Sequence, residues 1–145
     1  MPIRCEIVSQ DRMVYQGDAD IVVLPGTDGE MGILPHHAPL LTTLKYGYIK
    51  VRTKNEEQVF TVAGGVAEIQ PTIVTVLADS AENVDEIDAE RAETAKRRAS
   101  DQLTKVKADD VDTYLALESA LRRSNLRIEA VKKYHSNKRS IYREE

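Results

Sequence analysis

The fold of this chain is decided where two kinds of sequence meet, in residues 72–99, which read TIVTVLADSAENVDEIDAERAETAKRRA. The first part of this stretch is rich in β-branched residues, and the last part is rich in Ala, Arg and Glu. All 7 Gly and all 5 Pro lie at or before Pro71, so neither residue interrupts a helix beyond this point. We therefore predict a β domain over residues 1–84 and a helical domain over residues 85–145.

The β domain reads as short strands joined by close turns. In Tyr46–Thr53, apolar Ile49 and Val51 alternate with more polar residues, which is typical of a strand with one wet face. The other predicted strands are Ile3–Val8, Met13–Tyr15, Ala19–Leu24, Gln58–Val62, Val66–Ile69 and Thr72–Ala78. Reversals are predicted at Lys54–Glu56, Gly64–Gly65 and Gln70–Pro71. This pattern favours a compact β-sandwich.

The helical domain reads as an antiparallel hairpin that turns at Lys107–Asp110. Asp85 or Asp88 can cap its first helix, and Asp109 or Asp110 can cap the second. The apolar positions are Ala92, Ala95, Ala99, Leu103 and Val106 on the first helix, and Val111, Tyr114, Leu117, Leu121, Ile128 and Val131 on the second, which runs to about Tyr134. An Ala-rich stripe buries little apolar surface, so opening the hairpin is expected to require little free energy. An ordinary helical pair is the alternative.

Composition excludes several classes of protein. With 41% hydrophobic and 30% charged residues, 145 residues are enough to bury a core. The single cysteine, Cys5, excludes an internal disulfide, and no apolar run approaches the roughly 18 residues of a membrane helix. The net charge of -4 comes from the β domain, because residues 1–84 carry 6 Lys and Arg against 11 Asp and Glu. We therefore expect neither a secreted disulfide scaffold nor a membrane-spanning protein.

The end of the chain is strongly basic. Residues 119–143 contain a single acid and these basic residues: Arg122, Arg123, Arg127, Lys132, Lys133, Lys138, Arg139 and Arg143. In an antiparallel hairpin, Arg91 lies opposite Leu126–Arg127, and Arg98 lies close to Arg122–Arg123. Such a cluster favours an anion, and guanidinium groups suit phosphate oxygens. A nucleotide phosphate, an acidic protein surface and nucleic acid are the candidates, and a solvated face is the simplest alternative.

Enzyme chemistry finds little support in the residues. His36–His37 suggests a metal or base site, but no third Cys or His has a suitable spacing. Rigid proline neighbours and a backbone hydrogen bond account for this pair more simply. Gly64–Gly65 lacks the flanking pattern of a phosphate loop. We predict no catalytic residue and no metal site, and an enzyme centred on the histidine pair is the third hypothesis.

Three segments resemble a known family. Residues 29–42 read GEMGILPHHAPLLT, residues 64–71 read GGVAEIQP and residues 74–79 read VTVLAD, and all three are similar to the epsilon subunit of bacterial F-type rotary ATP synthases. The resemblance spans nearly the whole chain. It implies a β-sandwich followed by a helical hairpin, with the sandwich docked on the gamma subunit and on the membrane ring of c subunits.

The resemblance also implies a role in the complex. The protein would be a non-catalytic rotor subunit of a proton-translocating ATP synthase, held at the cytoplasmic face of the bacterial plasma membrane only through the complex. The loop that contains Asp28, Glu30 and His37 would lie toward gamma and the c-ring.

Regulation is a further implication of the resemblance. The hairpin would either fold down or extend along gamma into the alpha/beta catalytic ring, where it opposes ATP hydrolysis. The basic residues that would meet acidic beta-subunit surface are Arg122, Arg123 and Arg127. A wedge of this kind inhibits without a catalytic residue.

Residues 87–92, IDAERA, match the I/L-D-x-x-R-A motif through which some bacterial family members bind ATP. Carried over residue by residue, the resemblance implies an ATP site formed by Glu82, Ile87, Asp88, Arg91, Arg98, Arg123 and Arg127. ATP would be a regulatory ligand, and no other cofactor is expected. The simpler interpretation is that Asp88 caps the helix and pairs with Arg91.

The leading alternative function is a nucleic-acid-binding protein that uses the basic hairpin. The acidic β domain and the lack of aromatic residues interleaved with the basic ones argue against this function, so we predict no nucleic acid partner. The basic tail, residues 134–145, has too little apolar periodicity to predict a helix.

Overall fold

The computed structural model describes residues 1–135 and divides the chain into two compact units. The first unit is Met1–Asn83, and the second begins at Val84. The first has strands as its regular elements, and the described part of the second has helices, which confirms the predicted β-sandwich followed by a helical hairpin. The last ten residues of the predicted basic tail lie outside the described residues.

The first unit is built from eight strands in one continuous sheet. They are β1 (Ile3–Val8), β2 (Met13–Ala19), β3 (Ile21–Gly26), β4 (Gly29–Ile33), β5 (Leu40–Arg52), β6 (Glu57–Ile69), β7 (Ile73–Ala78) and β8 (Ala81–Asn83). The order across the sheet is β2-β1-β7-β6-β5-β3-β4, and β8 also pairs with β6. All pairs are antiparallel except β1 with β7, which run parallel.

One hydrophobic core lies between the layers of this folded sheet. Alternate residues of β1 point inward, so Ile3, Cys5 and Ile7 are fully buried. Ile49 and Val51 are buried as their alternation predicts, and they join the same cluster as Phe60, Val62, Val74 and Val76. The predicted turn after β5 is confirmed, since the Thr53 amide donates to the Glu56 carbonyl at 2.9 Å.

The prediction of a reversal at Gly64–Gly65 is wrong, because both residues lie inside β6. They have positive φ angles of 86° and 137°, and β6 remains paired with β5 on both sides of them. A Cβ atom at Gly65 would lie 2.4 Å from the Leu77 carbonyl oxygen. These glycines therefore bend a long strand and let β7 approach it closely. Glycine serves both purposes in sheets, as well as forming chain reversals.

Two strands were not predicted, and others are longer than expected. β4 contains Gly29 and Gly32, which weaken a strand pattern, and β8 has only three residues. The turn before β4 consists of two residues, because Gly26 pairs with Gly29. In these segments pairing with neighbouring strands outweighs weak local propensity.

Cys5 is an inert core residue. Its side chain is fully buried in the core, and no disulfide forms. Burial, with a smaller contribution from the nearby Glu6 carboxylate, raises the pKa of the Cys5 thiol to about 12. The thiol therefore stays protonated and unreactive.

None of the described helices is both long and apolar enough to cross a membrane.

The second unit begins with a 3-10 turn, Val84–Glu86, followed by α1 (Ala89–Leu103) and α2 (Val111–Ala130). A single π-helical turn, Val131–His135, continues α2. Asp88 is the N-cap of α1 and Asp110 is the N-cap of α2. The alternatives Asp85 and Asp109 do not cap. The hairpin therefore has the predicted helices, with a widened last turn.

The interior of the hairpin is lined by small residues, as predicted for α1. Ala92 and Ala99 are buried on α1, and Ser124 and Ile128 are buried on α2. The expectation that Val111 and Tyr114 join this stripe is wrong, since they are 58% and 48% exposed. The reason is that α1 ends at Leu103, so the first turns of α2 lie beside an open groove of about 550 Å³ lined by Gln102, Lys105, Val106, Lys107, Asp110, Thr113 and Leu117.

Candidate functional site

One outer face of the sandwich carries apolar side chains in a row across neighbouring strands. Leu77 on β7 pairs with Val8 on β1 and with Val66 on β6, and Val8 pairs with Met13 on β2. Leu41 on β5 lies on the same face but two residues along from this row, where it pairs with Glu68; Leu41 is 70% exposed and Leu77 is 59% exposed. We call these five residues the outer apolar face. Contiguous exposed apolar side chains of this kind mark protein interaction sites.

Sequence reasoning missed the outer apolar face. Leu77 follows the buried Val76 in a run of apolar residues, so the sequence does not show which of the two points outward. The signal lies in the register, because Val76 pairs with the buried Ile7 and Leu77 with Val8. Residues about 70 positions apart in the chain are brought together in this way, and a local pattern does not contain that information.

The three residues expected to contact gamma and the c-ring lie on both sides of β4. Asp28 is exposed in the turn between β3 and β4, and Glu30 is exposed on β4. His37 is half-buried in the connection from β4 to β5. The three residues therefore belong to two connections and the strand between them, rather than to a single loop.

The connection from β4 to β5 is held by backbone contacts. His36 adopts a left-handed conformation with φ of 69°, and its amide donates to the Pro71 carbonyl at 2.8 Å. The His37 Nδ1 atom donates to the Ala38 carbonyl at 2.6 Å. Within residues 1–135 no group of three His, Cys, Asp or Glu side chains is arranged to hold a metal ion. The two histidine hydrogen bonds fix the backbone of this connection, in which Leu34 is 58% exposed.

The motif residues Ile87, Asp88 and Arg91 lie at the start of α1. The Asp88 carboxylate accepts a hydrogen bond from the Arg91 amide at 3.1 Å, which satisfies one free donor of the first turn. The cap is present, but the Arg91 guanidinium makes no ion pair with Asp88 or with any other described residue. Ile87 is 7% exposed, and its amide donates to the Val84 carbonyl. The capping interaction leaves the guanidinium of Arg91 available for an anion.

The four arginines implied in the ATP site share a position relative to the packed stripes. Each immediately precedes a buried residue, in the pairs Arg91–Ala92, Arg98–Ala99, Arg123–Ser124 and Arg127–Ile128. In an antiparallel pair of right-handed helices, residues that precede facing positions project to the same side of the pair. The guanidinium groups on α1 and α2 therefore point toward one side of the hairpin.

Arg122 and Glu82 are placed differently from these four arginines. Arg122 is exposed, whereas its neighbour Arg123 is half-buried, because adjacent residues of a helix point about 100° apart. The expected inhibitory residues Arg122, Arg123 and Arg127 therefore do not form a single face. Glu82 lies in β8 of the first unit, where its carbonyl accepts from the Thr61 hydroxyl at 3.5 Å.

Comparisons with known proteins agree with this architecture. Residues 2–84 match the family model described as ATP synthase, Delta/Epsilon chain, beta-sandwich domain, and residues 85–132 match the corresponding long alpha-helix domain. An ATP synthase epsilon chain of Dehalococcoides mccartyi is 42% identical, and the match covers 90% of this chain and 93% of that protein. An epsilon chain of Desulforamulus reducens is 43% identical, with coverage of 88% and 95%.

Solved structures show the same fold at lower sequence identity. A chain of the mitochondrial ATP synthase of Euglena gracilis superposes with a TM-score of 0.66 at 22% identity, and the match covers 83% of this chain and 76% of that one. A chain of the Tetrahymena thermophila mitochondrial ATP synthase central stalk and c-ring gives a TM-score of 0.59 at 15% identity, with coverage of 90% and 96%.

A β-sandwich followed by a two-helix hairpin, with both domain models matched in order, defines the delta/epsilon class of ATP synthase chains. The chain belongs to this family, and its relatives at 42% and 43% identity are epsilon chains. The resemblance noted in the sequence is confirmed.

Proposed function

We propose that this protein is a non-catalytic rotor subunit of a bacterial F-type ATP synthase. The sandwich docks on the gamma subunit and the c-ring, and the hairpin restrains ATP hydrolysis by the alpha/beta ring. The protein then lies at the cytoplasmic face of the plasma membrane, held there through the proton-translocating complex. The observation that carries this proposal is the outer apolar face of a chain that belongs to the ATP synthase delta/epsilon family.

The outer apolar face is the surface that docks on gamma. Leu41 and Leu77 expose more than half of their side chains, and fully burying one leucine contributes about 1.5–3 kcal/mol. Leu77 lies between the half-buried Val8 and Val66, so a partner meets a continuous apolar surface rather than isolated side chains. Such a surface suits a lasting contact between subunits that turn together.

A double variant tests this docking surface. Leu41→Asp together with Leu77→Asp is expected to weaken binding to purified gamma subunit at least about a hundredfold, because two apolar contacts are lost and two charges are desolvated. Isothermal titration calorimetry measures the affinity. Both leucines are exposed, so the sandwich keeps its core and its unfolding transition.

The matched control is Lys54→Asp together with Asn55→Asp, which adds two carboxylates to the exposed turn between β5 and β6, away from the outer apolar face. This variant is expected to bind gamma like the unchanged chain. Equal affinity of the double variant and the control would contradict docking through this face.

The contact with the c-ring involves Asp28, Glu30 and the connection that contains His37. Asp28 and Glu30 supply exposed carboxylates, and the His36 amide fixes the connection to the Pro71 carbonyl. A surface with a fixed backbone loses little conformational entropy on binding, which favours a stable contact. These residues complete the route from gamma to the c-ring in the proposal.

ATP is the proposed regulatory ligand of the hairpin. Arg91, Arg98 and Arg123 make no ion pair within the described part of the chain, and helical geometry places them on one side. Like charges in one place repel each other, and a triphosphate relieves that repulsion through bidentate hydrogen bonds. ATP therefore stabilises the closed hairpin relative to any state in which α1 and α2 are apart.

An ATP titration of the isolated full chain tests this site. Saturable changes of the α1 and α2 amide resonances are expected in NMR spectra of the unchanged chain. The variant Arg91→Ala/Arg123→Ala is expected to bind at least about tenfold more weakly, because it loses one guanidinium from each helix.

Arg97→Ala serves as the control for this titration. Arg97 is an exposed arginine of α1 that does not precede a buried residue, so its loss should leave ATP affinity unchanged. Identical titrations of the double variant and the unchanged chain would rule out the proposed site.

A further inference from the structure

The two ends of the helical unit meet each other. The 3-10 turn Val84–Glu86 is the first segment of this unit, and the π turn Val131–His135 is its last described segment. These two turns pack against each other although about 45 residues separate them. The end of the second helix therefore contacts the point at which the chain leaves the sandwich.

Buried apolar side chains lie in and beside these turns. Val84 is 2% exposed and Ala130, which directly precedes the π turn, is fully buried. Ile87, immediately after the 3-10 turn, is 7% exposed. The apolar side chains at the end of the hairpin where the 3-10 turn and the π turn meet are therefore buried. At the other end, where α1 turns into α2, Val111 and Tyr114 remain exposed.

The π conformation occurs at the point of contact. A π turn is rare because its hydrogen bonds and packing are less favourable than those of an α-helix, and such turns are frequent at functional sites. α2 is regular up to Ala130 and widens only where it reaches Val84–Glu86. Contact with the 3-10 turn provides a physical reason for the wider turn.

The charges on the two turns are opposite. Asp85 and Glu86 are exposed on the 3-10 turn, and Lys132 and Lys133 are exposed on the π turn. Exposed pairs contribute little individually, about 0–1 kcal/mol, but they favour the closed arrangement over one in which the turns separate. Apolar packing and charge therefore act in the same direction.

We propose that the π turn Val131–His135 is a clasp that holds the hinge of the regulatory hairpin, Val84–Glu86. The hairpin cannot pivot at this hinge until the π turn releases it. This inference deepens the proposed function, because it rests on the hairpin being the moving element. It adds that movement of the hairpin begins where the π turn meets the 3-10 turn, rather than at the turn between the two helices.

Hydrogen exchange of the isolated protein tests the clasp through two truncations. One variant ends at Ala130 and lacks the π turn, and the other ends at His135 and keeps it. The reporter is the Ile87 amide, which donates to the Val84 carbonyl at 3.2 Å and so closes the 3-10 turn. Exchange at Ile87 is expected to rise about tenfold in the first variant and to stay unchanged in the second.

The Tyr114 amide, which donates to the Asp110 carbonyl at 3.2 Å, is the internal reference at the far end of the hairpin. Equal exchange at Ile87 in both truncations would overturn the clasp. A uniform rise at Ile87 and Tyr114 would overturn it as well, because the whole hairpin would then have melted rather than its hinge.

A full-length variant, Lys132→Glu/Lys133→Glu, reverses the charge of the π turn and needs no truncation. Exchange at Ile87 is expected to rise about threefold, and the unchanged chain should approach it in concentrated salt. No change at Ile87 would count against the clasp. These experiments use no partner, so a negative result leaves docking on gamma untouched, and failed docking leaves the exchange result standing.

Discussion

ATP synthase complexes assembled with a chain that ends at Asn83 are expected to hydrolyse ATP about tenfold faster than complexes with the full chain. In the proposed function, the hairpin blocks rotation when it extends into the alpha/beta ring. If the extended state is favoured by about 1.4 kcal/mol, about nine complexes in ten are blocked, and removing the hairpin releases them. Steady-state hydrolysis by the purified complex measures the effect.

Weak packing between α1 and α2 is what the proposed movement of the hairpin requires. Ala92 and Ala99 are the buried residues of α1, and each contributes only a methyl group to the contact with α2. A buried carbon contributes about 0.8 kcal/mol, so few such contacts have to be broken. The same residues would make a poor permanent interface and make a good reversible one.

The truncated chain keeps the whole sandwich, including Leu41 and Leu77, so it should still assemble. A full-length variant with Arg122, Arg123 and Arg127 changed to Ala is expected to give part of the increase, since it loses attraction to acidic surface. Lys105→Ala/Lys107→Ala, at the turn of the hairpin, is its control. Unchanged hydrolysis after removal of the hairpin, under every nucleotide and proton-gradient condition, would refute inhibition.

The second large effect concerns the bend in β6. Gly65→Ala is expected to destabilise the sandwich by about 4 kcal/mol or more. The added Cβ would lie 2.4 Å from the Leu77 carbonyl oxygen and 2.9 Å from the Ala78 Cα atom, and both atoms belong to the backbone of a paired strand. The residue also has a φ of 137°, which side chains other than glycine rarely adopt. Urea unfolding of both proteins gives the difference.

Gly29→Ala separates strain from steric overlap. Gly29 has a φ of 139°, nearly that of Gly65, but a Cβ atom there meets nothing within 4 Å. This substitution should therefore cost only the conformational strain, about 1–2 kcal/mol. If the two substitutions destabilise the protein equally, the close approach of β7 to Gly65 is not the reason that glycine is needed.

Local pattern was sufficient for much of the fold. The alternation in Tyr46–Thr53 predicted a strand with Ile49 and Val51 inside, and the Ala-rich stripe predicted α1, with Asp88 as one of two candidate caps. Local sequence pattern failed to predict the structure where one residue type has two structural roles. Glycine marks a reversal or a bend within a strand, and the choice at Gly64–Gly65 depends on two neighbouring strands.

The candidate sites divide in the same way. The motif that contains Asp88 and Arg91 is contiguous, so the sequence identified Asp88 as a candidate cap, whereas the expected pairing of Asp88 with the Arg91 side chain is not found. The outer apolar face was not predictable, because Val8, Val66 and Leu77 come together only through the register of three strands. Val111 and Tyr114 were misassigned since their periodicity suits a buried stripe, whereas the length of α1 leaves them without a facing helix.

The parallel pairing of β1 with β7 has a consequence for synthesis of the protein. Arg4 pairs with Ile73 and Val8 with Leu77. The first strand to be synthesised therefore cannot form this pairing until β7, almost the last strand of the domain, has been synthesised. Contacts this distant in sequence form slowly. On the ribosome the sandwich core can close only after Ala78 has left the exit tunnel, and the hairpin, translated afterwards, then emerges beside a domain that is ready to fold.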